Sequence, residues 1–177
     1  NIKKKGYRRV SVAIIIVVIS FLLDALVSNH IGYTLTDPSI FKTIFTIVSL
    51  VSIYPYFNND KKYLYILIIT GILFDIIYTG TFLFITLIFV IIYLVNKFLD
   101  FFLPFNLLNI NILSIVSIYI YHIVSFIILN LVKYNSYNIN LLFSIIVHSI
   151  IGTIIYTTVI YFILRYIYNR LNIKQIK

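Results

Sequence analysis

Six continuous apolar stretches, each bounded by polar or basic residues, constrain this chain more than any other feature of its sequence. The hydrocarbon core of a bilayer takes roughly 20 apolar residues of helix, with about 17 to 25 as the working range. Measured against that length, the stretches run from about Val10 to Asn29, Ile40 to Phe57, Tyr63 to Tyr78, Thr81 to Phe98, Asn111 to Val132 and Asn140 to Tyr168. The third is short and joins the fourth across Thr79-Gly80, so the two form a hairpin. The sixth exceeds the bilayer's need and is expected to tilt or to extend past the headgroups. The runs are continuously apolar rather than alternating, which excludes a β-barrel.

Charge then sets the direction of each pass. Short loops rich in Lys and Arg stay on the cytoplasmic side. With the N-terminus inside, Lys3, Lys4, Lys5, Arg8, Arg9, Lys61, Lys62, Lys97, Arg165, Arg170, Lys174 and Lys177 fall on that side, and only Lys42 and Lys133 fall outside. A bias of twelve to two implies an even number of spans with both termini cytoplasmic. The expected architecture is therefore all-α: a polytopic integral membrane protein with six transmembrane helices, forming a single helical domain over residues 1–177. The basic segment before the first stretch resembles a signal peptide, but the apolar run is long and no small-residue cleavage pattern follows, so it reads as an uncleaved first span. Tyr54, Tyr56, Tyr63, Tyr65, Tyr166 and Tyr168 stand near span ends, where aromatic rings anchor in the interface.

Composition agrees. Hydrophobic residues make up 62% of the chain and charged residues 11%, and mean hydropathy is +1.05, far above the range of soluble domains. The longest segments between spans are too short to fold alone, so a helical membrane protein of this kind acts through its helices, its loops or its partners. The net charge of +9 is gathered between apolar runs rather than along one face, which points to topology and not to nucleic acid. Cysteine is absent, which removes disulfides and thiolate metal sites.

Ionisable residues inside spans are costly and so become candidate sites. Asp24 and Asp75 lie toward the outer ends of the first and third spans, at similar depth, and Lys42 stands near the same layer. They form either a charge-paired cluster or separate groups hydrated at the interface, with Asp75 expected inside. If Asp75 is buried and paired, Asp75→Ala reduces the folded protein while Asp75→Asn is milder. His122 and His148 fall near the middle of the fifth and sixth spans. Two imidazoles are too few for a metal site, so interhelical hydrogen bonds to Ser125 or Ser149 are the expected use. Gly71, Gly152, Ser49 and Ser52 allow close helix packing, and Pro55 and Pro104 punctuate helices. No phosphate loop, metalloprotease helix, nucleophile elbow or paired catalytic carboxylate motif is present. No cofactor is implied. Channel filters and internal duplication with broken helices are not visible either.

The string from Gly71 through Leu73, Asp75, Tyr78 and Gly80 to Thr81 resembles a hallmark of the rod shape-determining protein MreD family, in which a Gly-x-Leu-x-Asp-like span end leads through a Gly-bearing outer turn into the next span. Chain length, a single basic N-terminal anchor, Asp37-Pro38 before the second span and a basic C-terminus fit the same layout. The Ala- and Leu-rich character common in that family is replaced by Ile, Phe and Tyr. The resemblance implies a non-enzymatic component of the bacterial elongation machinery in the cytoplasmic membrane. It would partner an MreC-like membrane protein and, through it, MreB and the RodA and penicillin-binding synthases of lateral peptidoglycan. Partner docking is expected at Tyr78 to Thr81 and on the faces bearing Gly71 and Asp75. That family also resembles the six-span S-components of energy-coupling-factor vitamin transporters, the alternative reading. S-components dock through alanine-rich faces, whereas Ala13 and Ala25 are the only alanines here.

Overall fold

The computed structural model describes residues 2–31, 44–57, 61–80, 82–104, 106–131 and 139–171, and among them there is no strand. Six α-helices follow in order: α1 (Ile2–Ile31), α2 (Phe45–Ile53), α3 (Lys61–Phe74), α4 (Phe84–Asp100), α5 (Leu107–Leu131) and α6 (Ile139–Arg170). A 3-10 turn at Tyr54–Tyr56 extends α2, and a π-helical turn at Asp75–Thr79 extends α3. Ile and Val are weak helix formers in water, but these sequences are free of internal Pro. A chain at bilayer depth must also satisfy every backbone group within its own segment, which makes the helix the available solution.

Among the described residues, four helical stretches are long and apolar enough to cross a membrane: Tyr7–Leu26, Lys61–Thr79, Leu107–Ile128 and Leu142–Arg170. These mark the chain as a membrane protein. At 1.5 Å per residue, α6 with its 32 residues is about 48 Å long, so the sixth stretch overshoots the hydrocarbon core as expected. The second stretch departs from expectation. Expected over Ile40 to Phe57, it is helical only from Phe45 among the described residues, and Pro55 converts its end to a 3-10 turn. The piece Phe45–Tyr56 is shorter than a bilayer-spanning helix. The fourth helix has 17 residues and begins at Phe84, three later than expected.

The helices pair as hairpins, α1 with α2, α3 with α4 and α5 with α6, and α2 also packs against α5 and α6. Thr46 through Tyr56 are buried without exception, so the short α2 is the central post of the bundle. The polarity of the molecule is the reverse of a soluble fold. Large apolar side chains such as Ile15, Ile19, Ile69, Ile76, Leu87, Leu94, Ile151 and Phe162 face outward. Ser20, Ser49, Ser52, Ser114, Ser117, Ser149, Thr153 and Thr157 are sealed inside. A continuous apolar exterior on this scale is incompatible with a monomer in water. Inside, the small hydroxyl residues let helices approach closely, and many donate to a carbonyl of their own preceding turn, as Ser20 does to Ile16 (2.8 Å), Ser52 to Val48 (2.8 Å) and Thr153 to Ser149 (2.7 Å).

The two ends of the bundle differ. At one end, Tyr54, Phe57, Tyr63 and Tyr93 form a ring cluster, and Tyr56 lies against Tyr168, centroids 4.1 Å apart. The Tyr168 hydroxyl donates to the Arg9 carbonyl (3.4 Å), and Lys62 and Lys97 sit over the rings of Tyr7 and Tyr93, each at 6.0 Å. The opposite end holds both Asp24 and Asp75.

Candidate functional site

Helix α4 begins without a capping side chain of its own. Its N-cap residue, Leu83, has no polar group and stands in the left-handed region at φ 60°, a conformation that costs a non-glycine residue roughly 1–2 kcal/mol. The first N–H groups of a helix have no intrahelical acceptor, and Ile85 and Thr86 are buried away from water. Asp75, at the end of α3, supplies the acceptor. Its Oδ1 accepts the Ile85 N–H (2.7 Å), and its Oδ2 accepts the Thr86 N–H (3.1 Å) and the Thr86 hydroxyl (2.8 Å). Ile85 and Thr86 are the second and third residues of α4's first turn, the positions an N-cap side chain normally satisfies. The carboxylate also lies at the positive end of the helix dipole. Asp75 is 2% exposed.

One turn before Asp75, Gly71 explains how α3 and α4 come close enough for this. A Cβ on Gly71 would lie 2.9 Å from the Thr86 Cα, so only glycine admits the crossing. Past Asp75 the π turn carries the chain to Gly80, which closes α3 at φ 62°. Among the described residues nothing lies within 4 Å of a Cβ placed there; the requirement at Gly80 is conformational. Gly71, Asp75 and Gly80 are thus one device that fixes the α3–α4 hairpin.

The first hairpin repeats the device. Asp24 near the end of α1 accepts the Phe45 N–H on Oδ1 (2.8 Å), and on Oδ2 it accepts the Thr46 N–H (2.9 Å) and the Thr46 hydroxyl (2.5 Å). Phe45 and Thr46 open α2, whose N-cap Ile44 likewise offers no side-chain acceptor. Four residues before Asp24 stands another small residue, Ser20, fully buried, whose hydroxyl bonds to Tyr156 of α6 (2.8 Å). The pattern is a small residue, three residues, Asp, then a two-residue helix start ending in Thr: Ser20, Asp24, Phe45-Thr46 and Gly71, Asp75, Ile85-Thr86. The two clasps are joined by Tyr78, whose hydroxyl donates to the Phe21 carbonyl (2.5 Å) and whose ring packs on Phe21 and Phe74.

This geometry revises several expectations. Asp24 and Asp75 each hold the start of a different helix. Lys42, the third ionisable candidate, lies outside the described residues, as does Thr81. Gly71 and Asp75 do not line an outward docking face, because both are turned onto α4. The outward side chains near that turn are Ile76, Ile77 and Phe82, the last 89% exposed. His148 Nδ1 bonds to the Ser144 carbonyl (2.7 Å) on the exposed side of its own helix, rather than across to another helix. His122 is half-buried on α5, its ring against Tyr121, and Ser149 bonds to Ile146 of its own helix. Among the described residues no group of three or more His, Cys, Asp or Glu is placed to hold a metal.

Thr46, Thr86 and Ser20 escaped sequence reasoning. So did Asn96 of α4, buried and bonded to Ser117 of α5 (2.9 Å). Comparison with protein-family models, with curated proteins and with solved structures finds no match in any of the three.

Proposed function

We propose that the chain is a multi-pass scaffold of the bacterial cytoplasmic membrane, working by contact with other membrane proteins in the manner of the MreD family. In this reading both termini are cytoplasmic, six segments enter the bilayer, and the partner is an MreC-like protein that links to MreB and to the RodA and penicillin-binding synthases. The carrying observation is the α3–α4 hairpin. The stretch that resembles the family's hallmark is one physical unit, in which Gly71 sets the crossing, Asp75 clasps α4 and Gly80 turns the chain.

Two further features support a contact-based role. The carboxylates at bilayer depth are each engaged by three donors from a helix start, an arrangement suited to rigidity rather than proton transfer. The described residues outside the helices are short turns. Partner docking is assigned to the outer turn that the clasp presents, with Ile76, Ile77 and Phe82 as its outward side chains.

The test is affinity purification of the full chain from membranes in mild detergent. An MreC-like single-span protein is expected to co-purify with the wild type and to be lost with Gly80→Leu or Phe82→Asp variants that still fold. Retention of a vitamin with no such partner overturns the scaffold in favour of a transporter S-component, and Gly80→Leu with partner binding intact overturns the placement of the docking turn.

A further inference from the structure

The tyrosine-lined end of the bundle gathers Arg8 and Arg9 at the start of α1, Lys61 and Lys62 at the start of α3, Lys97 near the end of α4, and Arg165 and Arg170 near the end of α6. Asp100 is the one carboxylate among the described residues at this end. Most of these cations are exposed, but Arg9 is not free to the surface. It is half-buried, its carbonyl is engaged by the hydroxyl of the buried Tyr168, and its Nε is buried without a hydrogen-bond partner among the described residues. A guanidinium is always charged and carries five donors in a planar fork shaped for phosphate and carboxylate. A buried donor of that kind is costly unless an acceptor meets it.

We infer that this end is a binding site for the phosphate of an anionic phospholipid headgroup, with Arg9 as its anchor and Lys61, Lys62 and Lys97 as its collar. The occupant follows from position. The cations stand at the margins of the apolar helices: Arg9 is 15 residues from Asp24, about 22 Å along α1 at 1.5 Å per residue, which sets the basic layer near the plane of one leaflet's phosphates given a core of about 30 Å. Lys62 and Lys97 lie over tyrosine rings, which holds their ammonium groups in that plane. A water-borne acidic protein would meet the exposed Arg8 and Arg170, whereas a lipid headgroup travels in the layer where the Arg9 Nε is set between helices. Basic crevices between membrane helices recognise anionic headgroups in this way. The inference stands independently of which protein partners the chain.

The experiment uses the full-length chain purified in a zwitterionic detergent, with phosphatidylglycerol, phosphatidylcholine and inorganic phosphate as probes. Binding is read by native mass spectrometry and by the thermal midpoint. Phosphatidylglycerol is expected to remain bound and to raise the midpoint, while phosphatidylcholine does neither. Arg9→Lys keeps the charge and removes the Nε donor; it is expected to weaken phosphatidylglycerol about fivefold, the order expected for one lost hydrogen bond. Arg170→Lys is expected to leave that affinity within twofold. Equal retention of the two lipids overturns the site, as does Arg9→Lys matching Arg170→Lys. Saturation by inorganic phosphate at the lipid's affinity overturns the lipid as occupant.

Discussion

Replacing Asp75 by Ala strips the acceptor from three donors at once: the Ile85 N–H, the Thr86 N–H and the Thr86 hydroxyl. Hydrogen bonds between membrane helices average about 0.6 kcal/mol and reach about 1.7, while bonds to a charged acceptor in soluble proteins are worth roughly 1.5–3. Three bonds taken between those ranges put the cost of Asp75→Ala near 3 kcal/mol, with about 2 as the lower figure. Asn keeps one carbonyl oxygen. Aimed at Thr86, it retains two of the bonds and turns its NH2 against the Ile85 N–H, for about half the loss. Thr86→Val removes one bond while keeping the shape, at a cost of about 1 kcal/mol. Because the Thr86 hydroxyl has already lost its acceptor in Asp75→Ala, the double variant is expected to be no worse than Asp75→Ala alone, a coupling of about 1 kcal/mol. The assay is reversible unfolding in mixed micelles by titration with sodium dodecyl sulfate, followed by far-ultraviolet circular dichroism. If Asp75→Ala and Asp75→Asn cost the same, or if the coupling is zero, the clasp is not the source of the hairpin's stability.

The first clasp makes the same contacts, so Asp24→Ala in the same assay is expected to lose about as much as Asp75→Ala, and Thr46→Val about as much as Thr86→Val; a loss under about 0.5 kcal/mol for Asp24→Ala would break the equivalence. Gly71→Ala pushes a methyl to 2.9 Å from the Thr86 backbone and is expected to cost about 1–3 kcal/mol by overpacking, visible as a reduced yield of monodisperse protein. Gly80 makes a contrasting case: its cost comes from φ, not from space, so Gly80→Ala and Gly80→Leu should each lose about 1 kcal/mol, and a much larger loss for Leu would show a contact that the geometry excludes. Asn96→Ala and Ser117→Ala should show a coupling of about 0.6 kcal/mol in a double-mutant cycle, and additive losses would mean that the bond contributes nothing.

Much of the helical layout was legible because length and hydropathy decide it. The ends of α5 and α6 fall within a few residues of where the apolar runs place them, since Asn106 and Pro104 cap and precede α5 and polar residues flank α6. The second helix was less legible because an apolar run reports environment and not conformation. Ile40 to Phe57 is mostly apolar, yet among the described residues the helix runs only from Phe45, where Asp24 supplies an acceptor. Asp75 was legible as a buried group, but its partner was not. Lys42 is the countercharge that the sequence suggests, whereas Asp75 is met by backbone N–H groups, which every residue except proline carries and no sequence pattern marks. The repeated clasp was hidden by unequal loops: Asp24 reaches donors 21 residues ahead and Asp75 reaches donors 10 ahead, so no fixed period links the copies. A small residue four before an Asp, followed by a Thr two or three residues into the next apolar helix, is the pattern that would have found both.

The proposed scaffold places the basic, tyrosine-lined end of the bundle toward the cytoplasm and the two aspartate clasps toward the other side. The chain contains no cysteine, so single thiols report their side of the membrane without background. Lys62→Cys, Arg170→Cys and Phe82→Cys, all at exposed positions, can be treated in intact cells with a membrane-impermeant maleimide before and after permeabilisation. Phe82→Cys is predicted to label in intact cells, and Lys62→Cys and Arg170→Cys only once the membrane is opened. Labelling of Lys62→Cys and Phe82→Cys from the same side would contradict the account.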